Sequence, residues 1–184
     1  MSNTALLVMD IQNGIVSRIA TADYVPRLTR AVDAARGAGI PVLHVVVGFR
    51  SGHPEVSERN MAFSALGASG AFTPGDPGAA IHPDVAPRTD ETVITKKRIS
   101  AFAGSDLEMV LRAQGITDLV LTGVATSGVV LSTLRQAADL DYRLTVLADG
   151  CADADEEVHR VLTEKVFPRQ AEVTSVEEWT AAIG

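Results

Sequence analysis

Residues 119–133 read LVLTGVATSGVVLST. A short apolar run, Leu119 to Leu121, leads to Gly123. A compact Ala-Thr-Ser-Gly turn follows, and then a second apolar run. A buried run of strand length that breaks at glycine and resumes as an apolar-periodic segment reads as a strand turning sharply into a helix. In an α/β protein such an elbow usually presents a reactive group. This one contains no Cys, His or carboxylate.

The same rhythm recurs on either side. Apolar runs of strand length stand at Ala5–Met9, Pro41–Val47, Thr92–Thr95, Leu119–Thr122, Leu144–Leu147 and Ala171–Thr174. They are rich in Val, Ile and Leu and alternate poorly, as strands covered on both faces do. Helical patterns lie between them. Asp23 to Ala38 places Val25, Leu28, Ala31, Val32 and Ala35 on one face and stops at Gly39 before Pro41. Ser105 to Gln114 opens with Ser105 and Glu108 in capping-box spacing. Gly128 to Leu140, Asp155 to Phe167 and Ser175 to Ile183 follow, the last with a second Ser-x-x-Glu start. Alternating strands and helices imply right-handed parallel crossovers and a doubly wound sheet, with sites outside the carboxyl ends of the strands. The expected fold class is α/β, in a single domain over residues 1–184.

Gly48 to Glu91 breaks this rhythm. It is long, irregular and rich in Pro and Gly. A segment of that kind in a compact domain reads as a binding wall or lid, or as a surface excursion or oligomer contact.

The 184 residues carry 16 Lys and Arg against 23 Asp and Glu, a formal charge of −7. That balance argues against nucleic acid or an anionic membrane as partner, and leaves room for a small molecule held by a local cation. One cysteine, Cys151, excludes an internal disulfide and fits a reducing compartment. The amino terminus, MSNTALLVMD, has neither a basic leader nor a long apolar stretch, so the expected location is cytoplasmic.

The strand tips hold the candidate residues. Asp10 ends the first strand, and Lys96 and Lys97 end the third. Alone, Asp10 reads as a helix cap or loop carboxylate, and the lysines as a solvated pair. If the first, third and fourth strands are neighbours, Asp10, Lys96 and the turn at 123–129 share one cleft. A carboxylate beside an ammonium in a partly buried cleft is an acid–base device. No phosphate-cradling glycine motif is present, no metal is called for, and no cofactor is implied. His44, His53, His82 and His159 lack ligand-like spacing. His44 reads as a satisfied core residue, while His53 and His82 lie where a ligand contact is open. Thr126 and Ser127 stand in the elbow itself. A hydroxyl nucleophile needs an adjacent base, and Ser127 reads as a helix cap.

Taken together, LLVMDIQNG (6–14), VITKKRISAFAGSDLEMVLRAQGI (93–116), LVLTGVATSGVVLSTLRQAADLDY (119–142), LTVLADGCAD (144–153) and, more weakly, GFRSGHPEVSERN (48–60) resemble the isochorismatase-like hydrolases, also called cysteine hydrolases. The resemblance implies a three-layer α/β/α sandwich around a six-stranded parallel sheet, and a catalytic Asp, Lys and Cys. The Asp maps to Asp10. The Lys maps to Lys96 and not Lys97, because the family lysine stands six residues before the Phe of the Ser-Ala-Phe segment, here Phe102. A cis peptide is implied at Val124–Ala125, turning the amides of Ala125 and Val129 inward as an oxyanion hole. Phe49 and Arg50 are candidate substrate contacts, Arg50 as a guanidinium for a carboxylate or as a surface ion pair. A homo-oligomer, dimer or larger, is implied as well.

The departure falls at Val129, where the pattern aligns the nucleophilic cysteine. Cys151 is 22 residues further on and reads as a buried structural thiol. Valine cannot attack a carbonyl, so thiol amidase chemistry is closed. The resemblance leaves two routes open. One is a hydrolase using Asp10 and Lys96 for acid–base or water-mediated chemistry on a small substrate, as isochorismatases that lack the cysteine do on a vinyl ether. The other is a catalytically silent relative that binds a small molecule or a protein.

Overall fold

A computed structural model describes residues 3–19 and 21–184. Its strands are β1 (Thr4–Met9), β2 (Val42–Val47), β3 (Thr92–Lys96), β4 (Asp118–Val124), β5 (Arg143–Ala152) and β6 (Glu172–Thr174). Its α-helices are α1 (Asn13–Ile19), α2 (Tyr24–Gly37), α3 (Ser64–Ser69), α4 (Leu107–Ala113), α5 (Leu131–Asp139), α6 (Glu156–Val161) and α7 (Val176–Ile183). Among the described residues the six strands form one parallel sheet in the order β3-β2-β1-β4-β5-β6. The chain winds outward from β1 to β3, then returns to the other side of β1 with β4. The switch point therefore lies between the tips of β1 and β4, where such sheets open a crevice.

Successive strand residues point to opposite faces, and β1 feeds both cores. Ala5, Leu7 and Met9 pack with Leu107 and Leu111 of α4 and Leu134 and Ala137 of α5. Leu6 and Val8 pack with Leu28, Ala31 and Val32 of α2 and Trp179 of α7. Each fully buried Leu of this kind contributes about 1.5–3 kcal/mol, and the two layers fix the register of β1 against β4 from Thr4↔Asp118 to Met9↔Gly123. These layers are the α/β/α sandwich expected above.

Three local expectations are corrected. β5 runs to Ala152 rather than Leu147, because its pairing with β4 shifts between Leu121↔Val146 and Gly123↔Cys151, a bulge that lets the strand resume. The Ser105–Glu108 capping box does not form. Asp106 occupies the cap position, Ser105 Oγ donates to the Ala101 carbonyl at 2.6 Å, and Glu108 pairs with Arg112 one turn on. The supposed neighbours β1 and β3 are separated by β2. The second box does form: Ser175 and Glu178 cap α7 reciprocally.

The irregular stretch holds α3 and two short 3-10 turns, Pro77–Ala79 and Pro83–Val85. Gln12, fully buried, pins it beside the β1 tip. Its side-chain amide donates to the carbonyls of Val47 (3.0 Å) and Ala79 (2.9 Å), and its oxygen accepts the Val47 N–H at 2.9 Å. Among the described residues no helix is long and apolar enough to cross a membrane.

Candidate active site

Asp10 is the first residue past β1 and adopts φ +60°, a left-handed conformation that Asp tolerates better than most residues. Its N–H donates to the Val45 carbonyl at 2.8 Å, which turns the side chain off the ladder at the switch point. There its Oδ2 lies 3.0 Å from Lys96 Nζ. Lys96 reaches it from β3, past the end of β2, where Val47 pairs with Lys96. The length of the lysine stem does what strand adjacency was expected to do. The ammonium also donates to the Arg98 carbonyl at 3.0 Å.

The pair is shut away from solvent, with side chains 8% (Asp10) and 2% (Lys96) exposed. Asp10 Oδ1 is buried and has no hydrogen-bond partner. Burial pushes the Asp10 carboxyl above its ordinary value, against the opposing pull of the Lys96 charge and hydrogen bond and of the nearby Val47 backbone. Here the protein holds a buried carboxylate with one oxygen committed and one open. Lys97, next in sequence, points to the opposite face. Its Nζ donates to the Gly48 carbonyl at 2.5 Å and sits 6.0 Å from the Phe49 ring centroid.

The elbow approaches from β4. Gly123 lies beside Met9, and a Cβ there would meet the Met9 carbonyl oxygen at 2.6 Å, so only glycine allows this approach. The Val124–Ala125 peptide is cis. Beyond it Thr126–Val130 forms a π turn, broken at Gly128 (φ −97°, ψ −105°), that runs into α5. The N–H groups of Gly128 and Val130 turn back onto the Ala125 carbonyl at 3.1 and 3.3 Å, on either side of Val129. Val129 itself is 2% exposed and packs into the core beneath α5. Ala101 N–H donates to Thr133 Oγ1 at 2.9 Å, and Ser100 Oγ donates to Gln136 Oε1 at 2.7 Å. These bonds tie the loop after Lys96 to α5.

Two residues at the elbow escape sequence reasoning. Asp153, just past β5, accepts the Ser127 N–H on Oδ2 at 2.7 Å. His159 of α6 places Nδ1 2.8 Å from Thr126 Oγ1. Ser127 is therefore not a side-chain cap: it lies inside the turn, and its amide is capped from outside.

Other candidates lie elsewhere. Arg50 is 74% exposed at its side chain and pairs with Glu55 at 2.6 Å. Phe49 is buried against Phe63 and His53. Both line a cavity of about 350 Å³ with Phe72 and Lys97, whose lining includes neither Asp10 nor Lys96. His53 is buried with a ring nitrogen 2.8 Å from the Ala71 carbonyl, and His82 opens a 3-10 turn. His44 is only half satisfied: Nε2 meets Glu91 at 3.1 Å, and Nδ1 is buried without a partner. Cys151 is buried, and desolvation pushes its thiol up to about 12. Among the described residues no group of three or more His, Cys, Asp and Glu side chains is arranged to hold a metal ion.

Comparison with known proteins agrees with this layout. The profile described as "Isochorismatase domain" matches residues 4–178. The isochorismatase family protein YwoC of Bacillus subtilis is 32% identical over 180 residues, spanning 96% of this chain and 92% of its own. The ureidoacrylate amidohydrolase RutB of Stutzerimonas stutzeri is 30% identical over 208 residues, spanning 99% and 80%. The crystal structure of a cysteine hydrolase from Pseudomonas syringae pv. phaseolicola covers all of this chain and 94% of its own with a TM-score of 0.91. At 22% identity, that is a likeness of fold.

Proposed function

The chain belongs to the isochorismatase family of hydrolases, and on that footing we propose that it hydrolyses a small molecule with Asp10 and Lys96 and without a cysteine nucleophile. The observation that carries this is the buried Asp10–Lys96 pair, 3.0 Å apart at the β1/β4 switch point, with one carboxylate oxygen free of any partner. Val129 stands where the family pattern aligns the thiol. In its absence water is the nucleophile.

For an amide, the Asp10 carboxylate takes a proton from water as the water oxygen adds to the carbonyl carbon. The Lys96 ammonium and the Ala125 and Val129 amides stabilise the oxyanion. The proton then passes from Asp10 to the departing nitrogen. For a vinyl ether, the Asp10 carboxylic acid protonates the terminal carbon, water adds to the resulting oxocarbenium carbon, and the hemiketal separates into a carbonyl compound and an alcohol. Burial of Asp10 favours the acid form that this second route needs. A cytoplasmic homo-oligomer acting on no nucleic acid is the accompanying expectation, while Phe49, buried against Phe63 and His53, and Arg50, paired with Glu55, are given no part in this route.

The test is a panel of small amides, ureidoacrylate among them, and vinyl ethers, followed by mass spectrometry. Turnover of at least one member is expected in the wild type, with loss in Asp10→Asn and new or faster amide hydrolysis in Val129→Cys. Turnover that survives Asp10→Asn unchanged refutes the proposal. The second reading, a silent binding protein, draws on the burial of Val129 and of both charged partners. It requires binding heat in calorimetry with no product from the same compounds.

A further inference from the structure

The elbow is held by a segment outside it. Neither Thr126 nor Ser127 caps its own turn, and Ala125, at the cap position, has no side-chain acceptor to offer. Both outside bonds come from the connection between β5 and α6. Asp153 Oδ2 accepts the Ser127 N–H at 2.7 Å, and His159 Nδ1 stands 2.8 Å from the hydroxyl of Thr126, a side chain with no exposed surface.

The connection carries hydrogen bonds of its own. Asp153 Oδ1 accepts the Asp155 N–H at 3.4 Å, and Asp155 Oδ1 caps α6 through the N–H groups of Glu157 (2.9 Å) and Val158 (3.2 Å). His159 is the fourth residue of that capped helix. Two aspartates two residues apart thus cap two different helix starts, and one of those starts is the elbow.

We infer that Asp153 and His159 are positioning residues for the elbow, and that they decide which of its amides remain free for a reacting oxygen. The distribution of donors supports this. Asp153 takes the Ser127 N–H, while Gly128 and Val130 donate to the Ala125 carbonyl. The amides of Ala125 and Val129 are in neither set. Without Asp153, the Ser127 N–H loses its acceptor and either draws in water or lets the turn shift until another acceptor is found. Without His159, the buried Thr126 hydroxyl loses its partner and with it the rotamer that orients the peptide after Ala125. Neither side chain touches Asp10 or Lys96 in any contact described above, so each acts through Thr126 or Ser127.

The inference rests on the reading of the elbow as part of the reacting centre, and two measurements separate the two. The first is amide hydrogen exchange, residue by residue, in the full chain and in Asp153→Ala, Asp153→Asn, His159→Leu and His159→Asn. Loss of a charge-assisted bond is expected to speed exchange at Ser127 by about tenfold or more in Asp153→Ala. His159→Leu should speed exchange across 126–130. β1 and β4 should stay as protected as in the wild type, and both Asn variants, which keep an acceptor in place, should restore the elbow. The second is kinetics on whichever panel compound the wild type turns over. There kcat should fall by about tenfold with KM within about twofold in the Ala and Leu variants, and recover in the Asn variants. Exchange that rises uniformly through the sheet, or not at all at 126–130, overturns the inference. Local exchange changes with no turnover from any compound leave the positioning intact and count against the proposed hydrolase instead. Local exchange changes with unchanged kcat overturn the catalytic part of the positioning.

Discussion

Replacing Lys96 with methionine keeps most of the stem and removes only the charge, so it isolates the electrostatics of the buried pair. At 3.0 Å and an effective dielectric constant near 20, the two charges attract by about 5 kcal/mol. Desolvation of both groups offsets much of that, but removing one partner strands the other, which costs about 3–5 kcal/mol. The stranded group here is Asp10, which can escape by taking a proton. Its folded pKa is already raised by burial, and without the ammonium every lowering influence from Lys96 is gone, so it rises further. A group whose pKa is higher in the folded state lends stability below its unfolded value and loses it as pH rises through the folded one. The deficit of Lys96→Met should therefore be small near pH 4 and widen toward pH 8. Urea denaturation across that range is the assay, supported by thermal melts. A chain of this length loses roughly 2–4 °C per kcal/mol, so the melting temperature at pH 8 should fall by roughly 6–20 °C. Asp10→Asn combined with Lys96→Met should recover most of the loss, since no buried charge remains. A deficit that is flat with pH, or a double variant no more stable than Lys96→Met, would refute the picture of a closed, mutually dependent pair.

Two further expectations concern stability away from the pair. Glu91, 9% exposed at its side chain, takes both the Nε and Nη2 of Arg36 at 2.7 and 2.8 Å and the Arg88 N–H at 2.8 Å, which pull its carboxyl down to about 2. A depressed carboxylate lends stability above its unfolded value, here worth about 3 kcal/mol, and loses it as pH falls from 4.5 toward 2; Glu91→Gln should flatten that acid limb in a pH series of melts. Gly123→Ala would press a methyl against the Met9 carbonyl oxygen and Cβ at 2.6 and 2.9 Å and should cost about 1–3 kcal/mol or more. Gly37→Ala, which meets nothing within 4 Å, should be neutral or stabilising by up to about 1 kcal/mol in the same urea titration.

What could be read from the sequence divides along a physical line. Strands buried on both faces announce themselves as apolar runs, and all six were legible to within a residue or two at their starts. The extension of β5 was not, because a bulge is set by the partner strand. Asp10 and Lys96 were legible from their place at strand tips, although the route by which they meet was not. The lysine stem spans β2 instead of lying in a neighbouring strand. Capping by Ser175 was visible because the donors are local, and the same Ser-x-x-Glu spacing failed at Ser105 because Glu108 found Arg112. Asp153 and His159 left no local signal at all. Their partners are 26 and 33 residues away, and only the pairing of β4 with β5 brings them to the elbow.

The burial of Cys151 has a practical side. Its thiol is the chain's only sulfhydryl, it is 4% exposed, and it ionises only near pH 12. Thiol-directed alkylating agents and disulfide reagents depend on a reachable thiolate, so the folded protein offers them no sulfhydryl to attack. It can be handled in air without reductant, and thiol-directed inhibitors of cysteine hydrolases should pass it by. A cysteine introduced at position 129 would then be the sole candidate for such reagents, and a single mass addition would report, before any substrate is known, whether that corner of the fold opens to the outside.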